Sequence, residues 1–144
     1  MQKLVAGIFG FAALTVGSTV GGEKGDKLEG SWIATAAVSD GKKAPEDVLK
    51  KAMLTVTFKG GKYSVVSEGN EVEAGTYKAD PSKKPATIDL TIMTGKDKGK
   101  TQPGIYKIEG DTLTVALTPP ESKERPKNFE PPERGEVTVL KRQP

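Results

Sequence analysis

Residues 86 to 118 read Ala-Thr-Ile-Asp-Leu-Thr-Ile-Met-Thr-Gly-Lys-Asp-Lys-Gly-Lys-Thr-Gln-Pro-Gly-Ile-Tyr-Lys-Ile-Glu-Gly-Asp-Thr-Leu-Thr-Val-Ala-Leu-Thr. Ile88, Leu90 and Ile92 alternate with Asp89 and Thr91, and Leu113, Val115 and Leu117 alternate with Thr112, Thr114 and Ala116. A period of two places one face of each strand in a core and the other toward solvent. The lysine- and glycine-rich stretch 95–100 and the turn Glu109-Gly110-Asp111 separate these runs from Gly104 to Ile108. Three strands and two reversals make an antiparallel meander.

The same repeat extends in both directions. Leu28 to Val38 reads as a first strand, and Leu54, Val56 and Phe58 alternate with Thr55 and Thr57 before Gly60-Gly61 turns the chain. Tyr63 to Ser67 answers as a hairpin partner, and Gly69-Asn70 marks the next reversal. The strand 71–79 is more polar. Its alternation puts Val72, Ala74 and Thr76 on one face and Glu71, Glu73, Gly75 and Tyr77 on the other, with the two acids expected outward. Pro45 to Lys51 has proline at its start, acids in the first turn and lysines near the end, which predicts a short helix. Residues 119–134 hold five of the ten prolines and no periodicity, so a long loop is expected before a last strand at 136–142. Strands are therefore expected at 28–38, 53–59, 62–68, 71–79, 86–94, 103–109, 112–118 and 136–142. Eight short strands in sequence order are best served by closure, which removes both unpaired edges. The expectation is an all-β, eight-stranded antiparallel up-and-down barrel with one short helix after the first strand.

Residues 1–22 stand apart: Lys3, an apolar run from Leu4 to Val16, then small residues. They read as a secretory signal peptide, too short for a membrane span of about 20 apolar residues. The barrel domain is then 23–144, secreted or periplasmic, with no membrane span and expected as a monomer. Without Lys3, 21 basic residues face 19 acidic ones, a balance that argues against nucleic acid as a partner. The chain has no cysteine, so burial and closed pairing replace disulfides.

Leu28-Glu-Gly-Ser-Trp32, Pro85-Ala-Thr-Ile-Asp-Leu90, Gly104-Ile-Tyr106, Gly110-Asp-Thr-Leu113, Arg125-Pro126 with Phe129, and Leu140-Lys-Arg142 resemble, in that order, an uncharacterised lipocalin-like domain family of small secreted proteins abundant in planctomycetes. Gly30-Ser31-Trp32 also resembles the Gly-x-Trp signature of lipocalins. The resemblance implies a lipocalin-like barrel after a signal peptide, and no activity. Members commonly carry a cysteine where Ala116 stands, so a thiol role is not implied for this chain.

In such a barrel Trp32 would lie inside the closed end, with a cation from the last strand over its indole. Arg142 is expected there in preference to Lys141, since a guanidinium stacks better on an aromatic face. Phe58, Tyr63, Leu90, Tyr106 and Leu113 would line the interior with it. An eight-stranded barrel either fills with side chains or holds one small ligand, and both remain open. Arg125 and Phe129 are the candidate anchors of the long loop, for a protein partner of the cell envelope or for packing on the barrel.

Catalysis is poorly supplied: without histidine or cysteine the chain lacks the usual general base, nucleophile systems and zinc ligands. A carboxylate pair could in principle hydrolyse a glycoside, yet no spacing singles one out. Gly95-Lys-Asp-Lys-Gly-Lys-Thr101 is one residue short of a phosphate-binding loop and leads into a strand. The expectations are no enzyme, no cofactor and no metal, with a small apolar or amphipathic ligand in the barrel or, alternatively, a filled structural or protein-interaction domain.

Overall fold

The computed structural model describes residues 27–143, so the expected signal peptide at 1–22 lies outside the described residues. The elements are β1 (Gly30–Ser39), β2 (Lys42–Lys43), α1 (Glu46–Ala52), β3 (Thr55–Lys59), β4 (Lys62–Ser67), β5 (Asn70–Asp80), β6 (Ala86–Ile92), β7 (Thr101–Glu109), β8 (Thr112–Leu117) and β9 (Glu136–Arg142). Consecutive strands from β3 to β9 pair antiparallel, β1 pairs with β3, and β1 also pairs with β9. That last ladder closes the sheet: Trp32 faces Arg142, Ala34 faces Leu140, and Ser39 faces Glu136. The result is the closed eight-stranded lipocalin-like barrel expected, with β2 as an added two-residue flap on β1.

Two local features adjust the strand phases. The β1–β9 register shifts between Ala34 and Ala36, so Ala37 and Ser39 oppose Thr138 and Glu136 on the inner face. The β4–β5 register shifts after Val65, which opposes Glu73 while Val66 opposes Glu71. This bulge separates the two acids. Glu73 turns inward and Glu71 stays exposed, correcting the expectation that both point to solvent. A bulge inserts one residue and reverses the side-chain alternation beyond it.

β5 also bears Gly75 opposite Tyr63. A Cβ on Gly75 would lie 2.0 Å from the Thr91 carbonyl oxygen and 2.9 Å from Cε1 of Tyr63. The missing side chain lets the tyrosine ring and the neighbouring strand approach.

The helix is one residue displaced from its expected start. Pro45 is the extended N-cap residue, and Met53, at φ 47°, ends the helix with its N–H donating to the Leu49 carbonyl. No residue of α1 is buried, although Leu49 packs against the barrel core.

The chain's direction defines two ends. The 60–61, 81–85 and 110–111 connections lie with Gly30 and Arg142 at one end, and the 40–54, 93–100 and 118–135 connections lie at the other. Leu28, Trp32, Phe58, Tyr63, Ile88, Tyr106, Leu113 and Leu140 belong to one interior core. A second, smaller cluster of Ile105, Ala116 and Val137 lies on the opposite faces of β7, β8 and β9, where Phe129 packs against it.

Candidate functional site

The two ends of the barrel are built differently. At the closed end Trp32 is fully buried and its Nε1 donates to the Leu28 carbonyl at 2.9 Å. Arg142 lies over the indole, Cζ 4.1 Å from the ring centroid. Its Nη1 donates to the Glu29 carbonyl at 2.9 Å and its Nη2 to the Lys27 carbonyl at 2.5 Å. One guanidinium thus ties the leader of β1 to the end of β9 while covering the aromatic face. Gly30 makes room for it: its φ is +125°, and a Cβ there would stand 3.1 Å from Nη1. The spacing in Gly30-x-Trp32 therefore has a steric reason in this chain.

Toward the open end the interior is not filled. A cavity of about 490 Å³ is bounded by side chains from all eight barrel strands. Its walls are mostly apolar: Val56, Phe58, Val65, Leu90, Ile92, Leu113, Val115, Leu117 and Leu140. That volume falls within the roughly 300–1,000 Å³ of small-molecule sites, and walls of this kind are their usual lining.

Of the residues expected along the interior, Phe58, Tyr63, Leu90 and Leu113 line the cavity. Trp32 and Tyr106 are buried in the core but stand outside the cavity wall. The edge of Phe58 meets Tyr77, with centroids 5.0 Å apart.

The polar groups of the cavity gather toward its open end. Asp40, Glu73, Asp97, Gln102 and Glu136 all line it. The Tyr63 hydroxyl donates to Glu73 Oε2 at 2.8 Å. Burial pushes the Tyr63 phenol well above its usual range, and the bond to Glu73 and that carboxylate's charge add to the effect. Burial also pushes Glu136 up, reinforced by the charges of Glu73 and Asp40. Among the described residues no group of three or more carboxylates is arranged to hold a metal ion.

Glu136, Gln102, Asp40 and inward-facing Glu73 were not among the expected site residues. Glu136 shares a strand face with Arg142, and Gln102 shares one with Tyr106, so alternation from either residue identifies its companion.

The long loop lies against the outer wall. Phe129 carries Lys107 Nζ 4.9 Å from its ring centroid. Arg125 Nη2 pairs with Asp89 Oδ1 at 2.9 Å, and its Nη1 donates to the carbonyls of Gly104 at 2.9 Å and Ile88 at 3.3 Å. Both residues fasten the loop across β6, β7 and β8. No helix of the described residues is long and apolar enough to cross a membrane. No family model, curated protein or solved structure matches the chain.

Proposed function

We propose that the protein is an exported, lipocalin-like binding module that holds one small apolar or amphipathic molecule in the upper half of its barrel. The observation that carries this reading is the apolar cavity of about 490 Å³ inside an otherwise packed barrel. Such space could be filled by larger side chains at little cost in sequence, and leaving it open sacrifices packing. A ligand that enters it restores those contacts.

The rim supports the same reading. Among the described residues the large hydrophobic residues that remain exposed are Val48, Met53, Val72 and Met93. Each belongs to a segment at or beside the open end: the connection before β3, the start of β5 and the residue after β6. Residues of this kind around a mouth favour the entry of an apolar molecule. The signal-peptide pattern of residues 1–22 and the resemblance of the sequence to the lipocalin-like family fit this reading. No catalytic step is assigned to the carboxylates.

Titration with N-phenyl-1-naphthylamine, an uncharged fluorescent probe, tests the reading. Saturable binding at one site per chain is expected, and Val65→Phe, which places a larger ring in the cavity, weakens it. Absence of saturable binding in the parent protein would favour the structural or protein-interaction role instead.

A further inference from the structure

The charged groups of the cavity carry one sign. Asp40, Glu73, Asp97 and Glu136 line it and, among the described residues, no lysine or arginine does, although the chain as a whole has 22 basic and 19 acidic residues. Three of these acids have partners. Asp97 pairs with Lys100 at 3.3 Å, Glu73 accepts from Tyr63 at 2.8 Å, and Asp40 Oδ1 accepts from the Gly135 N–H at 2.9 Å. Glu136 has none: among the described residues no donor or cation meets its carboxylate, and the charges it senses are those of Glu73 and Asp40. A largely buried carboxylate facing only like charge is an expensive arrangement unless something cationic completes it.

A second, independent group points into the same space. Gln102 is 8% exposed and lines the cavity, and its side-chain amide has no hydrogen-bond partner among the described residues. Buried amides are nearly always paired in folded proteins. Gln102 lies two residues from Gly104, which opposes Leu117, which in turn opposes Glu136. Two strand spacings across the sheet and two residues along β7 thus put the Gln102 and Glu136 backbones roughly 12 Å apart at the open end, within the combined reach of the two side chains around one cation. A metal ion does not suit them, since among the described residues no group of three carboxylates is arranged around one point.

We propose that the occupant is an amphiphile with a protonated amine head, its tail among Leu90, Leu113, Val115 and Leu140 and its head beside Glu136 and Gln102. This rests on the cavity's being a ligand site, as proposed above. The ammonium donates to the Glu136 carboxylate and to the Gln102 Oε1, so both orphaned groups gain partners at once. Glu73 and Asp40, repulsive toward Glu136 in the empty protein, become favourable toward the cation. The same field opposes the carboxylate of a fatty acid.

Decylamine, decanol and decanoate, each below its micelle concentration at about pH 7, would compete with N-phenyl-1-naphthylamine for the full chain. The order expected is decylamine, then decanol, then decanoate, with about a tenfold gap between the first two, the size of one charge-assisted hydrogen bond. Glu136→Gln should remove most of that gap, weakening decylamine far more than decanol. Gln102→Leu, which keeps the carboxylate, should narrow the gap by a smaller factor. Unfolding midpoints would verify that both variants are folded. Decanol binding as tightly as decylamine, or decanoate binding best, overturns the amine assignment and leaves the cavity reading intact. Failure of all three to compete, with no probe binding, removes the cavity reading itself.

Discussion

The lower and upper halves of this barrel show what a closed sheet can do with its interior. At the lower end Trp32, Leu28 and Arg142 meet with the indole N–H donated to a carbonyl, both terminal guanidinium nitrogens donating to carbonyls, and the cation over the ring. At the upper end the wall is apolar, the space is open, and Glu136 and Gln102 lack partners among the described residues. The same strands build both. The difference comes from which residues alternate inward, a large indole beneath and mainly valines and leucines above, with Gly30 and Gly75 admitting Arg142 and Tyr63 respectively.

The largest effect that would sharpen this contrast is expected from Trp32→Ala. Deleting a fully buried indole should cost about 3–5 kcal/mol in chemical denaturation. A loss no larger than that of a surface change would show that the closed end is not the packed half. Overpacking separates the halves next. Ala34→Leu, in the core beside the closed end, should cost about 1–3 kcal/mol, because the inserted atoms must displace neighbours. Val115→Ile faces the cavity and should cost less than about 1 kcal/mol. Equal losses at the two sites would erase the distinction between filled and open interior.

Arg125→Ala tests the outer fastening of the long loop. Its ion pair is partly exposed, so the global loss should be only about 1 kcal/mol, while protease cleavage within 119–134 should accelerate. An unchanged cleavage rate would mean that Phe129 and its neighbours hold the loop unaided.

The smallest effect is expected from Glu136→Gln, and it depends on pH. Burial, Glu73 and Asp40 raise the folded-state pKa of Glu136 above its ordinary value of 4.5, and Asp97, also on the cavity wall, is paired with Lys100. The folded protein therefore holds this proton more tightly than the unfolded chain. Its contribution to stability is fully present below the ordinary value and is lost as pH rises through the folded pKa. Glu136→Gln should thus match the parent near pH 4 and exceed it in thermal midpoint at about pH 8. A variant less stable than the parent at the higher pH would mean that Glu136 already has a partner.

Much of the architecture was legible because alternation is a strong signal over 86–118 and 54–67, and because turn residues separate the runs. The two-residue β2 was not, since Lys42-Lys43 has no apolar alternation and pairs only as an extension of β1. Glu73 keeps the phase of Gly75 and Tyr77, so its inward turn follows once that face is taken as inward, whereas the outward position of Glu71 depends on a bulge in β5, which no residue there announces. The acidic end of the cavity was within reach. Taking Arg142 as inward implies Leu140, Thr138 and Glu136 on the same face, and taking Tyr106 as inward implies Gly104 and Gln102. The expected strand 103–109 begins two residues after the observed start at Thr101 and so leaves Gln102 outside it. The cavity itself is a matter of volumes summed over eight strands, and no single stretch encodes it.

Isotope-edited NMR of the protein with decanol tests the contrast between the two halves most directly. Intermolecular NOEs from the decyl chain to the methyl groups of Leu90, Leu113, Val115 and Leu117, with none to the indole of Trp32, are the predicted result. NOEs confined to outer-wall residues such as Val137 and Val139, or contacts reaching the Trp32 ring, would contradict it.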